Sequence, residues 1–170
     1  MPNYENDKQY MRIVRHILDN DEFSKLKDIK HHEQTRLNHC LKVSYYAYII
    51  AKKLGLSYEE VARAGLLHDF YLGQVKEQKK VKDRLLLFTT KHPEQALDNS
   101  LKYFELTEKE QDIIRTHMFP IDIKIPKFAE SWLVSFVDKA VSTKEFGYKF
   151  SSKLSWVANA YLLIIFKFIK

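Results

Sequence analysis

The chain has 170 residues, 45% of them apolar and 14% aromatic, which excludes a disordered polypeptide and allows one domain with a well-buried core. Its formal net charge of +6 suits anionic partners such as phosphate esters, although a Lys-rich soluble surface accounts for it equally well. A single cysteine, Cys40, excludes an internal disulfide and fits a reducing cytoplasm, and four Gly, four Pro and no Asn-Gly or Asp-Gly turn favour helices over sheet.

Residues 1 to 19 lack an apolar signal core, and the longest apolar stretch, 156 to 166, is 11 residues, too short to span a bilayer. Cytoplasmic location and no membrane association are expected. The first helix is expected over residues 8 to 19, where Tyr10, Met11, Ile13, Val14, Ile17 and Leu18 recur at helical spacing. His16 falls off that face and takes no role. Residues 20 to 33 are mixed and charged, and His31-His32 is expected in an exposed polar turn.

Residues 34 to 54 predict a central helix that is apolar on nearly every face between Leu37 and Ala51, so His39 is expected inside the protein. Lys52 and Lys53 suit its C-terminal dipole, and Gly55 is expected to stop it as a left-handed cap. The next helix begins at a Ser57/Glu60 capping-box spacing, with Leu56 and Val61 placed for a hydrophobic staple, and ends near His68. A Lys-rich link, 71 to 91, is expected to follow, with His92-Pro93 opening a further helix. Thr107 and Glu110 form a second capping-box spacing ahead of a helix ending near His117. Pro120 and Pro126 bracket an extended link, residues 128 to 145 carry Asp138, and residues 152 to 169 predict a last apolar helix. The whole is expected to be one all-α bundle of about seven helices, residues 1–170, with its motif core at 34–145.

His39, His68, Asp69, His92, His117 and Asp138 stand out chemically. Imidazole nitrogen and carboxylate oxygen are the ligands that borderline and hard divalent metals prefer, and six of them can hold two ions. The successive spacings of 29, 24, 25 and 21 residues from His39 to His68, His92, His117 and Asp138 are those of a helix plus a connection. Singly, a histidine on an apolar helix is usually a satisfied core residue; jointly, that account is harder to keep. Asp138 shares a helical stripe with Ser131, Ser135 and Ser142, which either faces water or lines a cavity. Asp69 has two oxygens and can bridge two ions.

These residues lie in Arg-Leu-Asn-His (36–39), Leu-Leu-His-Asp (66–69), Lys-His-Pro-Glu-Gln-Ala (91–96), Ile-Ile-Arg-Thr-His (113–117) and Ser-Phe-Val-Asp-Lys (135–139). In these motifs the chain resembles the HD-domain metal-dependent phosphohydrolase superfamily, an all-helical fold. His92 and His117 resemble its dinuclear subset, which includes bacterial dinucleoside-polyphosphate hydrolases. The resemblance implies one metal on His39, His68, Asp69 and Asp138, and a second on His92 and His117 with Asp69 shared. It further implies catalytic roles for His68 and Asp69, and phosphate contacts for Arg36 and Arg115. Two divalent ions (Fe, Mn, Co or Ni, with Zn or Mg compatible) and a small phosphorylated substrate, such as a nucleotide, are therefore expected. The chain departs from the resemblance at Leu72, where many dinuclear members carry lysine. That departure keeps a second reading open, a degenerate module that binds a nucleotide and regulates without turnover. Scattered basic residues without a recognition-helix pattern disfavour nucleic acid. A homo-oligomer stays open.

Overall fold

In the computed structural model the described residues are 3–31, 34–73 and 81–146. Seven α-helices occur among them: α1 (Lys8–Leu18), α2 (Asp21–Ser24), α3 (Arg36–Leu54), α4 (Tyr58–Leu67), α5 (Val81–Tyr103), α6 (Glu108–Thr116) and α7 (Ala129–Phe146). Two-residue strands β1 (Lys30–His31) and β2 (Gln34–Thr35) pair antiparallel ahead of α3, with Lys30 opposite Thr35. The architecture is all-α, as expected. The C-terminal helix expected at 152–169 lies outside the described residues, as do His32 and the Lys76, Lys79 and Lys80 part of the basic link.

Each helix start has a local cause. Asp7 caps α1 by accepting from the backbone N–H groups of Gln9 and Tyr10 at 3.1 and 3.0 Å. Tyr10, Val14 and Ile17, spaced four and three apart, are the buried face of α1. The charged stretch after α1 is more ordered than its composition suggested. Asn20 caps α2, and a 3-10 turn over Lys25–Asp28 follows, so that Phe23 and Leu26 are fully buried. Thr35 caps α3, and Gly55 ends it at φ 70°, the left-handed conformation that carries no Cβ penalty in glycine.

Two expectations about helix starts need correction. The Ser57/Glu60 box does not form, because both side chains find tertiary partners. Ser57 Oγ accepts from Lys109 Nζ at 2.7 Å, and Glu60 accepts from Thr107 Oγ1 at 2.7 Å. The Thr107/Glu110 box forms in full. The second correction is that His92-Pro93 does not open a helix. It lies inside α5, which begins at Val81. Proline lacks one N–H and crowds the preceding turn, a cost of about 3 kcal/mol. The proline lies inside this 23-residue helix.

Helix α3 packs on α4 and α7, α4 on α6, and α6 on α5 and α7. The α3–α4 crossing is close: a Cβ placed on Gly65 would lie 3.1 Å from the Ser44 Cα. A hydrogen-bonded relay spans the same place, Tyr10 OH to Ser44 Oγ at 2.8 Å and Ser44 Oγ to the Ala62 carbonyl at 2.6 Å, tying α1, α3 and α4 together. The core includes Val43, Ala47, Leu66, Leu67, Ile113 and Ile114, all without solvent exposure. The stripe on α7 faces inward: Ser131, Ser135 and Asp138 are buried. Among the described residues no helix is long and apolar enough to cross a membrane.

Candidate metal centre

The helix packing brings the six singled-out side chains to one place. His39 lies in the first turns of α3, His68 and His117 are the C-caps of α4 and α6, and Asp69 follows His68 directly. His92 is on α5 and Asp138 on α7. None exposes more than 6% of its surface, so the groups meet one another and not bulk water.

Two neighbourhoods share Asp69. In the first, His39 Nε2 is 3.0 Å from Asp138 Oδ1, and His68 Nε2 lies 3.7 Å from Asp138 Oδ1 and 3.9 Å from Asp69 Oδ2. In the second, His92 Nε2 and His117 Nε2 lie 3.4 and 3.6 Å from Asp69 Oδ1. Ligand atoms of His39, His68 and Asp69, and separately of Asp69, His92 and His117, fall within 4.8 Å of one another, close enough to hold an ion in each group.

The backbone fixes two of the tautomers. His68 Nδ1 is 2.8 Å from the Gly65 carbonyl, and His117 Nδ1 is 2.8 Å from the Ile114 carbonyl. A carbonyl oxygen only accepts, so both Nδ1 atoms carry hydrogen, and in the neutral rings Nε2 presents a lone pair to the cluster. His92 Nε2 sits 2.9 Å from His117 Nε2, a separation that needs a proton or a cation between the two nitrogens. His68 Nε2 and Asp69 Oδ1 are buried with no hydrogen-bond partner. Such atoms cost about 1–3 kcal/mol each when left unsatisfied, and a divalent cation would satisfy both. The donor set therefore fits divalent metal.

Electrostatics point the same way. Burial alone would raise the Asp69 carboxyl, but the surrounding imidazoles of His68, His92, His117 and His39 outweigh it and hold the group well below the usual carboxylate range. Asp138 is likewise held low, against its burial, by Lys139, His39 and His68. Burial, with His68 and His92 beside it, pushes His117 well below the ordinary imidazole range, which favours the neutral, metal-binding form. Burial raises the Cys40 thiol, and Asp69 adds to that, so the nearby sulfur stays protonated.

The remaining expected site residues are placed differently. Arg36, at the start of α3, is 4% exposed; its guanidinium stacks over the Tyr71 ring at 3.7 Å and donates to the Tyr71 carbonyl. Arg115 is 44% exposed and pairs with Glu94 at 3.8 Å. It precedes His117 by two residues, about 200° around a helix, and so is turned away from the imidazole that enters the cluster. Leu72 is 38% exposed. Sequence reasoning assigned nothing to Lys139, which is buried and 3.3 Å from Asp138 Oδ2, or to Tyr71, whose ring lies 5.4 Å from that of His92. The signal for Lys139 was present: a second charge beside Asp138 in an otherwise apolar run.

A family model described as HD domain matches residues 36–148, about two-thirds of the chain. No curated protein and no solved structure matches.

Proposed function

Given that the chain belongs to the HD-domain family, we propose that it is a metal-dependent phosphohydrolase acting on a nucleotide or another small phosphate ester or anhydride. One observation carries this reading: six buried ligand side chains converge from five helices, with Asp69 common to both groups. In its finer form the reading is dinuclear. His39, His68, Asp69 and Asp138 would hold one divalent ion, and Asp69, His92 and His117 a second. The set lacks a thiolate, which suits Fe²⁺, Mn²⁺, Co²⁺ or Ni²⁺ and is compatible with Zn²⁺ or Mg²⁺. When bound, such ions supply an acidified water, polarisation of the phosphoryl group and charge neutralisation at the leaving oxygen.

The chain's own residues supply the rest. Asp69, kept ionised by the imidazoles around it, is in the form that can ligate metal, with one oxygen toward each group. His68 stays oriented through its Nδ1 bond to Gly65. Burial of the cluster keeps bulk water from competing for the ligand atoms. Arg36, stacked on Tyr71, whose ring lies 5.4 Å from that of His92, is the cation we assign to a substrate phosphate. Symmetric dinucleoside polyphosphates, the substrates of one group within the dinuclear subset that His92 and His117 resemble, belong among the candidates to be tested.

The test is elemental analysis of protein purified without added metal, followed by phosphate release from a panel of phosphomonoesters, nucleotides and dinucleoside polyphosphates with Mn²⁺ or Fe²⁺. We expect bound metal and turnover in the wild type. Both should be lost in the His68→Ala/Asp69→Ala double variant while helical content persists. Turnover by the metal-free double variant would remove the proposal. Leu72, in place of the lysine of many dinuclear relatives, favours one alternative, a nucleotide-binding module without turnover. That alternative is distinguished by a nucleotide-induced rise in melting temperature with no phosphate released.

A further inference from the structure

Lys139 is the one buried cation in direct contact with the cluster among the described residues, and the function proposed above leaves it unused. Its ammonium donates to the His117 carbonyl and lies 3.3 Å from Asp138 Oδ2. The same His117 carbonyl accepts from Ser135 Oγ at 2.7 Å, one turn earlier on α7. The other oxygen of Asp138, Oδ1, faces His39 at 3.0 Å and His68 at 3.7 Å.

The ammonium thus contacts one residue from each ligand group. On Asp138 it takes one carboxylate oxygen and leaves the other for the imidazole side. On His117 it grips the backbone of a helix C-cap whose ring enters the other group. Lysine does this as a compact charge with three donors on a flexible stem. The next helical position after Asp138 points about 100° away, yet a four-carbon stem is long enough to bring the ammonium back.

We propose that Lys139 is a positioning residue that fixes both ion sites at once, holding Asp138 so that Oδ1, which also accepts from Ser142 Oγ at 3.4 Å, is the oxygen facing the imidazoles, and anchoring His117 through its carbonyl. This rests on the metal-dependent reading above. Groups that orient metal ligands in this way typically account for 10- to 100-fold in metal affinity. Lys139→Met removes both contacts, whereas Lys139→Arg keeps the charge and replaces the point ammonium with a planar fork.

The test titrates metal-free protein with Mn²⁺ alone, and records the visible absorption of the Co²⁺-loaded protein, well below each variant's melting temperature. We expect Lys139→Met to bind Mn²⁺ 10- to 100-fold more weakly, with an altered Co²⁺ spectrum, and Lys139→Arg to lie between it and the wild type. If the Met variant does not fold, the Arg variant carries the test through the same two readouts. Wild-type Mn²⁺ affinity and an unchanged Co²⁺ spectrum in a folded variant would overturn the role of Lys139 and leave the metal-dependent function standing. A wild-type protein that binds neither metal would overturn the function itself, and this role with it.

Discussion

Asp69→Asn is the sharpest single perturbation, because the two ligand groups have this carboxylate in common. The change preserves shape and removes the charge. In the metal-free protein it sacrifices no hydrogen bond at Oδ1, and it gives an amide donor facing the Nε2 atoms of His92 and His117, now 3.4 and 3.6 Å away. The variant nevertheless loses the charge that the surrounding imidazoles hold ionised, so its melting temperature in chelator is expected below that of the wild type. Metal should separate the two proteins. A site filled at one hundred times its Kd stabilises the fold by about 2.7 kcal/mol. In a chain of this length each kcal/mol moves the midpoint by about 2–4 °C, so wild type should rise by about 5–11 °C on adding Mn²⁺. Asp69→Asn should rise by less than about 2 °C on the same scale. Scanning calorimetry with Mn²⁺ and with chelator measures both shifts. An Asn variant that gains as much from Mn²⁺ as the wild type would refute the reasoning that Asp69 joins the two groups.

Gly65→Ala should destabilise the protein by about 1–2 kcal/mol in urea unfolding, since the new Cβ would press on the Ser44 backbone at 3.1 Å. In an open helix the same change would stabilise, so a gain in stability would show that α3 and α4 do not approach this closely. Burial alone would raise the Glu130 carboxyl, but Lys109 Nζ at 2.9 Å and the Ser57 N–H at 3.1 Å outweigh it and lower it. A carboxylate with a lowered folded-state pKa contributes stability that is complete above its unfolded value, near 4.5, and is lost as pH falls through the folded one. Glu130→Gln should thus cost about 2 kcal/mol at pH 7 and flatten the stability profile below pH 4.5. A profile parallel to that of the wild type would argue against this account.

The convergence of these imidazoles and carboxylates was legible because such groups are conspicuous in apolar helices, and because their spacing matched one per helix. What sequence left open was direction. The Ser131–Ser135–Asp138 stripe suited water or a cavity equally, and only the packing of α7 on α3 and α6 turned it inward. Pro93 misled because proline at a helix start and proline inside a long helix look alike locally; the difference is whether the chain before it is already helical, as it is from Val81. Ser57 misled for a related reason, since a spacing that allows a capping box does not exclude stronger partners elsewhere, here Lys109 and Glu130. Phe23 and Leu26 were hidden among charges, and their burial follows from contacts that no short window contains. Arg115 matches a motif position, and its side chain pairs with Glu94 at the surface.

His68 and His117 each fold their ring back onto a carbonyl three residues earlier, so the hydrogen that would block Nε2 is parked on the other nitrogen by the helix's own last turn. An arriving ion need not wait for a ring flip or displace a proton at those two atoms. The hydrogen bond that sets each tautomer spans only four residues. Such a helix ending is a portable cassette, and grafting Gly-Leu-Leu-His or Ile-Arg-Thr-His onto the terminus of an unrelated helix should carry a pre-aimed donor along with it.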